Sequence, residues 1–130
     1  MDKIKQVIVG VYECGYEQYQ LSLRSGRGGE FYALPSPGAL PSIKVGADHD
    51  EFRDVAAVLM HEVMELTMDR MKCRYEPTND MSKDHSAYVF IMNHPTFSDV
   101  CAKTSEYVIK ALPDIKAAWE KWIKQAKEKK

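Results

Sequence analysis

His61, Glu62 and Glu65 are the residues of this chain whose types and spacing could do chemistry. They interrupt the run V-A-A-V-L-M-H-E-V-M-E-L from Val55 to Leu66, in which the other nine residues are apolar. Read as a helix, that run is apolar on nearly every side and is expected to be mostly buried, where an unpaired carboxylate is very costly. Residues four apart project from the same helix face, so His61 and Glu65 can reach one cation with Glu62 beside it. One divalent ion would neutralise both carboxylates and accept a histidine nitrogen. The competing arrangement is a structural network in which Glu62 or Glu65 forms a buried ion pair with Arg53, Arg70 or Arg74.

The spacing is that of an H-E-x-x-H helix, where two side chains four apart hold zinc and the glutamate between them acts as general base toward water, except that the fifth position is Glu65. Catalytic zinc commonly takes two His and one Glu, and a downstream histidine would restore that set. His94 is the first choice, because it stands at a strand-to-loop boundary beside the rigid Pro95. His85, in the sequence D-H-S before the same strand, is the alternative. His49 precedes His61 by roughly three helical turns and is the least suited. A carboxylate at the fifth position makes bound water less acidic than a histidine there, so the metal could be another divalent transition metal, manganese or iron, instead of Zn2+.

The elements that must position these residues follow from local pattern. Residues 6–13 (Q-V-I-V-G-V-Y-E) and 17–24 (E-Q-Y-Q-L-S-L-R) read as strands joined by a hairpin at Gly15, the second alternating through Tyr19, Leu21 and Leu23. The glycine-rich stretch at 25–29 lacks a phosphate-loop pattern and predicts another hairpin, leading to a strand at 30–34. A proline-rich loop follows, then a short strand at 42–47. Asp48 with Glu51 marks a helix start, and the helix is expected from about residue 49 or 50 to residue 72. Residues 74–84 read as an irregular connection and residues 87–92 as a short buried strand. Two C-terminal helices are expected, one from Thr96 burying Phe97, Val100, Cys101, Thr104, Val108 and Leu112. Pro113 should end it, and the other should begin at Asp114 and bury Ile115, Ala118, Trp119, Trp122 and Ile123. The lysine-rich tail reads as a solvated helix end.

Composition bounds the function. A chain of 130 residues, 45% hydrophobic, is one domain of residues 1–130 able to form a core without disulfides. Eighteen basic and nineteen acidic residues leave a net charge of −1, which gives no electrostatic reason to expect nucleic acid or an anionic membrane as partner. Cys14, Cys73 and Cys101 fit neither a disulfide framework nor a C-x-x-C motif. With no signal-peptide pattern and no apolar run of about 20 residues, the chain is expected to be cytoplasmic.

Strands followed by an apolar helix carrying H-E-x-x-E, with histidines downstream, resemble the small zincin-like metallopeptidases over residues 43–94. The same helix resembles that of short uncharacterised proteins of phages and bacterial mobile elements. The resemblance implies an α+β fold, with a small, mostly antiparallel N-terminal sheet packed on the motif helix and closed by C-terminal helices. It also implies a metal-dependent hydrolase acting on a peptide or protein, with Glu62 as general base and His61, Glu65 and His94 or His85 holding Zn2+. The alternative is a non-catalytic module on the same scaffold that captures another protein through a sheet edge or a patch including Tyr12, Tyr16, Tyr19 or Tyr32. Glu62 and Glu65 also resemble the E-x-x-E helix of all-α nucleotide pyrophosphohydrolases, but no second acidic pair is evident and the strand-rich first half argues against that fold.

Overall fold

Alternating apolar residues build the sheet on which the motif helix rests. In the computed structural model, which describes residues 5–33, 37–75 and 89–128, β1 (Gln6–Cys14) and β2 (Glu17–Arg24) form the expected antiparallel hairpin. It turns at Gly15, whose φ of 66° is left-handed and open to glycine at little cost. Tyr19, Leu21 and Leu23 are buried as their alternation predicts.

The glycine-rich stretch does not join paired strands, contrary to the sequence expectation. β3 (Gly29–Tyr32) and β4 (Ser42–Gly46) complete a sheet of order β1-β2-β4-β3, so β4 lies between β2 and β3. It runs parallel to β2 and antiparallel to β3. The cause is local, because residues 25–28 fold against the end of β4. Gly46 N donates to Gly28 O at 2.7 Å and Asp48 N donates to Gly26 O at 3.0 Å. A Cβ at Gly46 would stand 2.5 Å from the Gly26 carbonyl oxygen, so this approach requires glycine.

α1 (Phe52–Arg70) packs on β3 and β4, and α2 (His94–Glu128) packs on β1, β2 and α1. Their apolar faces meet the sheet in one core, where Ile43, Val45, Val55, Leu59, Val63, Leu66, Tyr107, Ala111 and Ile115 are fully buried. A short ribbon pairs β5 (Arg74–Tyr75), at the start of the expected irregular connection, with β6 (Val89–Phe90), inside the strand expected at 87–92. That strand is not buried as expected, since Val89 and Ile91 are exposed. The rest of residues 74–84, and residues 87 and 88, lie outside the described residues. Met68, Cys73 and Val100 form a satellite cluster with Met64, Met71, Phe90 and Met92.

Three expectations need correction. Asp48 does not cap α1: the helix begins later, after Glu51, which makes no side-chain capping bond. α1 is not buried all round, since Ala57, Met60 and His61 are exposed. The C-terminal segment is one helix of 35 residues with Pro113 inside it, not two helices. An interior proline costs about 3 kcal/mol or more. Burial of Val108, Ala111 and Ile115 around it offsets that cost, as does the bond from Tyr12 Oη to Asp114 Oδ2 at 2.5 Å, just past the proline. The N-cap of α2 is Asn93, whose Oδ1 accepts from Thr96 N at 2.9 Å. Among the described residues, no helix is long and apolar enough to cross a membrane.

Candidate metal centre

Helical spacing puts the three polar side chains of α1 at the border between core and solvent. The Glu62 residue is 7% exposed, whereas the His61 side chain is 69% exposed and that of Glu65 13%. His61 Nε2 lies 3.0 Å from Glu65 Oε2, the i,i+4 pair, and 3.9 Å from Glu62 Oε2. One ligand atom from each residue lies within 4.8 Å of the others, and among the described residues this is the one group of three that could hold a metal ion.

Glu62 has the most exacting environment of the three. Among the described residues its carboxylate makes no hydrogen bond, and His61 Nε2 stands 3.9 Å from it. Burial pushes its pKa above the ordinary carboxylate value, and Glu65 pushes it further in the same direction. His61 opposes the rise. The Glu62 residue is largely buried but its side chain lines an open cleft, where a divalent cation could reach the carboxylate and offset its desolvation. One imidazole and two carboxylates suit zinc, manganese or iron, so the donor set fits such an ion.

The sheet supplies the facing wall. Gly28, Gly29, Ala57, Val58, His61 and Glu62 line an open cleft of about 390 Å³. A Cβ at Gly29 would meet Val58 Cγ1 at 2.8 Å, Glu62 Cγ at 2.9 Å and Lys44 O at 2.9 Å, so the Glu62 side chain lies directly across the Gly29 backbone. Sequence reasoning took these glycines for a turn. No local signal marked the approach, because the strand was expected to begin at residue 30, whereas Gly29 opens β3 in a position where a glycine lets another group approach closely.

The other candidates fall elsewhere. His94 opens α2 and is exposed. It is not among the converging donors, although Met92, two residues before it, packs in the satellite cluster with Met64 and Met68 of α1. His85 lies outside the described residues. His49 lines a different cleft with Ile123 and Lys127, and its Nε2 is buried with no hydrogen-bond partner among the described residues. Of the arginines that could have paired with the motif carboxylates, Arg53 pairs with the exposed Glu51 and Arg70 with Glu17. The Arg74 side chain lies outside the described residues. Tyr19 is buried and accepts from Arg70 Nε at 3.0 Å, whereas Tyr16 and Tyr32 are exposed.

No family model, no curated protein and no solved structure matches this chain. Its candidate chemistry lies in the His61, Glu62 and Glu65 group, which could hold a metal ion.

Proposed function

We propose that this protein is a zincin-like, metal-dependent hydrolase of peptide bonds in which Glu62 is the general base. The observation that carries the reading is the convergence of His61, Glu62 and Glu65, with the largely buried Glu62 and the exposed His61 both lining an open cleft. His61 and Glu65 hold the ion, Zn2+ in the first instance, with Glu62 beside it; His94 is not among the converging donors, and His85 lies outside the described residues. When bound, such an ion polarises a carbonyl and makes water a nucleophile near neutral pH. Glu62 accepts the proton of the attacking water. Its desolvation supports that role, because a carboxylate of raised proton affinity is a better base at neutral pH than an exposed one.

The substrate class is argued from the free edge of β3. Gly28 O accepts from Gly46 N, so residue 28 faces β4, and by strand alternation so do Glu30 and Tyr32. Gly29 and Phe31 therefore turn their N–H and C=O groups toward the opposite edge, which pairs with no strand among the described residues. An extended peptide could add there with its backbone beside Glu62. The three unpaired cysteines suit a reducing, cytoplasmic setting.

The test is elemental analysis of the parent and His61→Ala after dialysis in metal-free buffer, followed by hydrolysis of an unfolded protein substrate by metal-loaded parent and Glu62→Gln. Near-stoichiometric metal in the parent, its loss in His61→Ala and loss of hydrolysis in Glu62→Gln support the reading. Hydrolysis unchanged in Glu62→Gln overturns it. A parent that binds metal and peptide but cleaves nothing favours the alternative, a protein-binding module that uses the same β3 edge.

A further inference from the structure

We propose that residues 25–29, clamped by Arg24 and Asp48, are the positioning element of the metal centre: they fix the Gly29 backbone against which the Glu62 side chain is set. This inference rests on the metal-site reading above and concerns residues that never touch the ion.

The clamp is built from both ends. Arg24 Nη1 donates to Ser25 O at 2.9 Å and to Arg27 O at 3.2 Å, while its Nε and Nη2 hold Glu30 on β3 at 2.9 and 2.6 Å. One guanidinium thus ties the glycine loop to the strand that follows it, through the bidentate geometry in which arginine is strongest. Asp48 works from the other side. Its carboxylate accepts from Gly26 N, and its own N–H returns a bond to Gly26 O at 3.0 Å. Asp48 stands between β4 and α1, the helix that bears the motif, so this reciprocal pair joins the loop directly to the approach of that helix.

Two features tie the clamp to Glu62. The position a Cβ would take at Gly29 is 2.9 Å from Glu62 Cγ, so the placement of the loop bounds the path of that side chain. Gly28, with φ of 72° and nothing within 4 Å of its would-be Cβ, leaves the cleft open on the solvent side. Because α1 is capped by no side chain at Glu51, Asp48 is not spent on the helix terminus. Its bonding is to the loop.

The experiment is calorimetric titration of the full chain with Zn2+ and with Mn2+, in the parent, Asp48→Ala, Asp48→Asn and Gly29→Ala, with amide exchange at Gly26 and thermal midpoints measured on the same samples. Asp48→Ala should speed exchange at Gly26 and weaken metal affinity about tenfold, the low end of what outer-shell changes cost a metal site. Asp48→Asn keeps an acceptor and should bind within about twofold of the parent. A stabilising role alone would move the midpoint and leave affinity as it was. Gly29→Ala, if it folds, should weaken binding more than Asp48→Ala. Unchanged affinity in Asp48→Ala, with its Gly26 amide demonstrably freed, overturns the positioning role while the metal site stands. A parent that binds neither ion overturns the metal-site reading and this inference with it.

Discussion

α1 carries two polar groups, and they are opposites. Near its C-terminus Arg70 donates to Glu17, to Tyr19 Oη and to Ala33 O, tying the helix to β2 and to the residue after β3. Two turns earlier Glu62 lies deeper in the fold, close to Glu65 and 3.9 Å from the exposed His61, with no hydrogen bond among the described residues. The first group is complete in itself, a cation meeting acceptors. The second concentrates acceptors around one imidazole, which is the pattern of a binding site. The Arg24 and Glu30 pair across the outer sheet face repeats the self-contained pattern, and there arginine lowers the carboxyl pKa by hydrogen bonding. The chain therefore has arginines that pair directly with carboxylates, whereas Glu62 makes no ion pair with an arginine among the described residues and feels Arg24 only through a weaker coulombic pull.

The sharpest way to break this comparison is to remove one member of each group. His61→Ala should lower affinity for Zn2+ about a hundredfold or more, since one of three donors is lost, while the metal-free thermal midpoint stays near that of the parent because the side chain is largely exposed. Calorimetric titration and scanning fluorimetry on one preparation would check both. Arg70→Met should do the reverse, leaving metal affinity unchanged and costing about 1–2 kcal/mol in denaturant unfolding. That figure is kept low because the Glu17 side chain is 47% exposed and its share of the pairing is screened.

Smaller effects sharpen the contrast. Metal-free Glu62→Gln should be more stable than the parent by up to about 1 kcal/mol, because it removes a charge that partial burial disfavours. A loss of stability in urea unfolding would mean that the carboxylate has a structural partner. Acid titration should separate Glu62 from Glu30. The folded-state pKa of Glu62 is raised, so its protonated form favours the fold. Its contribution is present below the ordinary carboxylate value and is lost as pH rises through the raised pKa. Glu30 has a lowered pKa and contributes the other way, present above the ordinary value and lost as pH falls through the lowered one. Replacing Glu62 with Gln should thus flatten the pH dependence above the ordinary carboxylate value, and replacing Glu30 with Gln the dependence below it.

The sequence made legible what depends on local periodicity. Alternation through Tyr19, Leu21 and Leu23 revealed β2, and the apolar run from Val55 located α1 with the motif on it. Pro113 misled because its local penalty is real, whereas the burial of Ala111 and Ile115 that offsets it is visible only once α2 lies on the sheet. The glycine loop misled for a related reason. A hairpin and a loop that skips past an inserted strand have the same composition, and the choice is made by the pairing of Gly28 with Gly46 and of Gly26 with Asp48, distant in sequence. Of the site, His61, Glu62 and Glu65 could be read from spacing alone, because one helix carries all three. The Gly28 and Gly29 wall could not, since its role depends on β3 lying at the sheet edge beside α1.

The parallel seam between β2 and β4 has a consequence for how the protein comes together. β1 with β2 and β3 with β4 are antiparallel pairs, each formed by neighbours in sequence, and each can close over a modest loop. The seam joins residues roughly twenty positions apart and can form only when these two halves dock. Glu62 meets its Gly29 wall in the second half, while Arg70 reaches Glu17 and Tyr19 in the first. α1 thus bridges the two halves, and docking sets both polar groups in place together. A kinetic refolding experiment that follows the recovery of metal affinity would therefore time the closure of that seam.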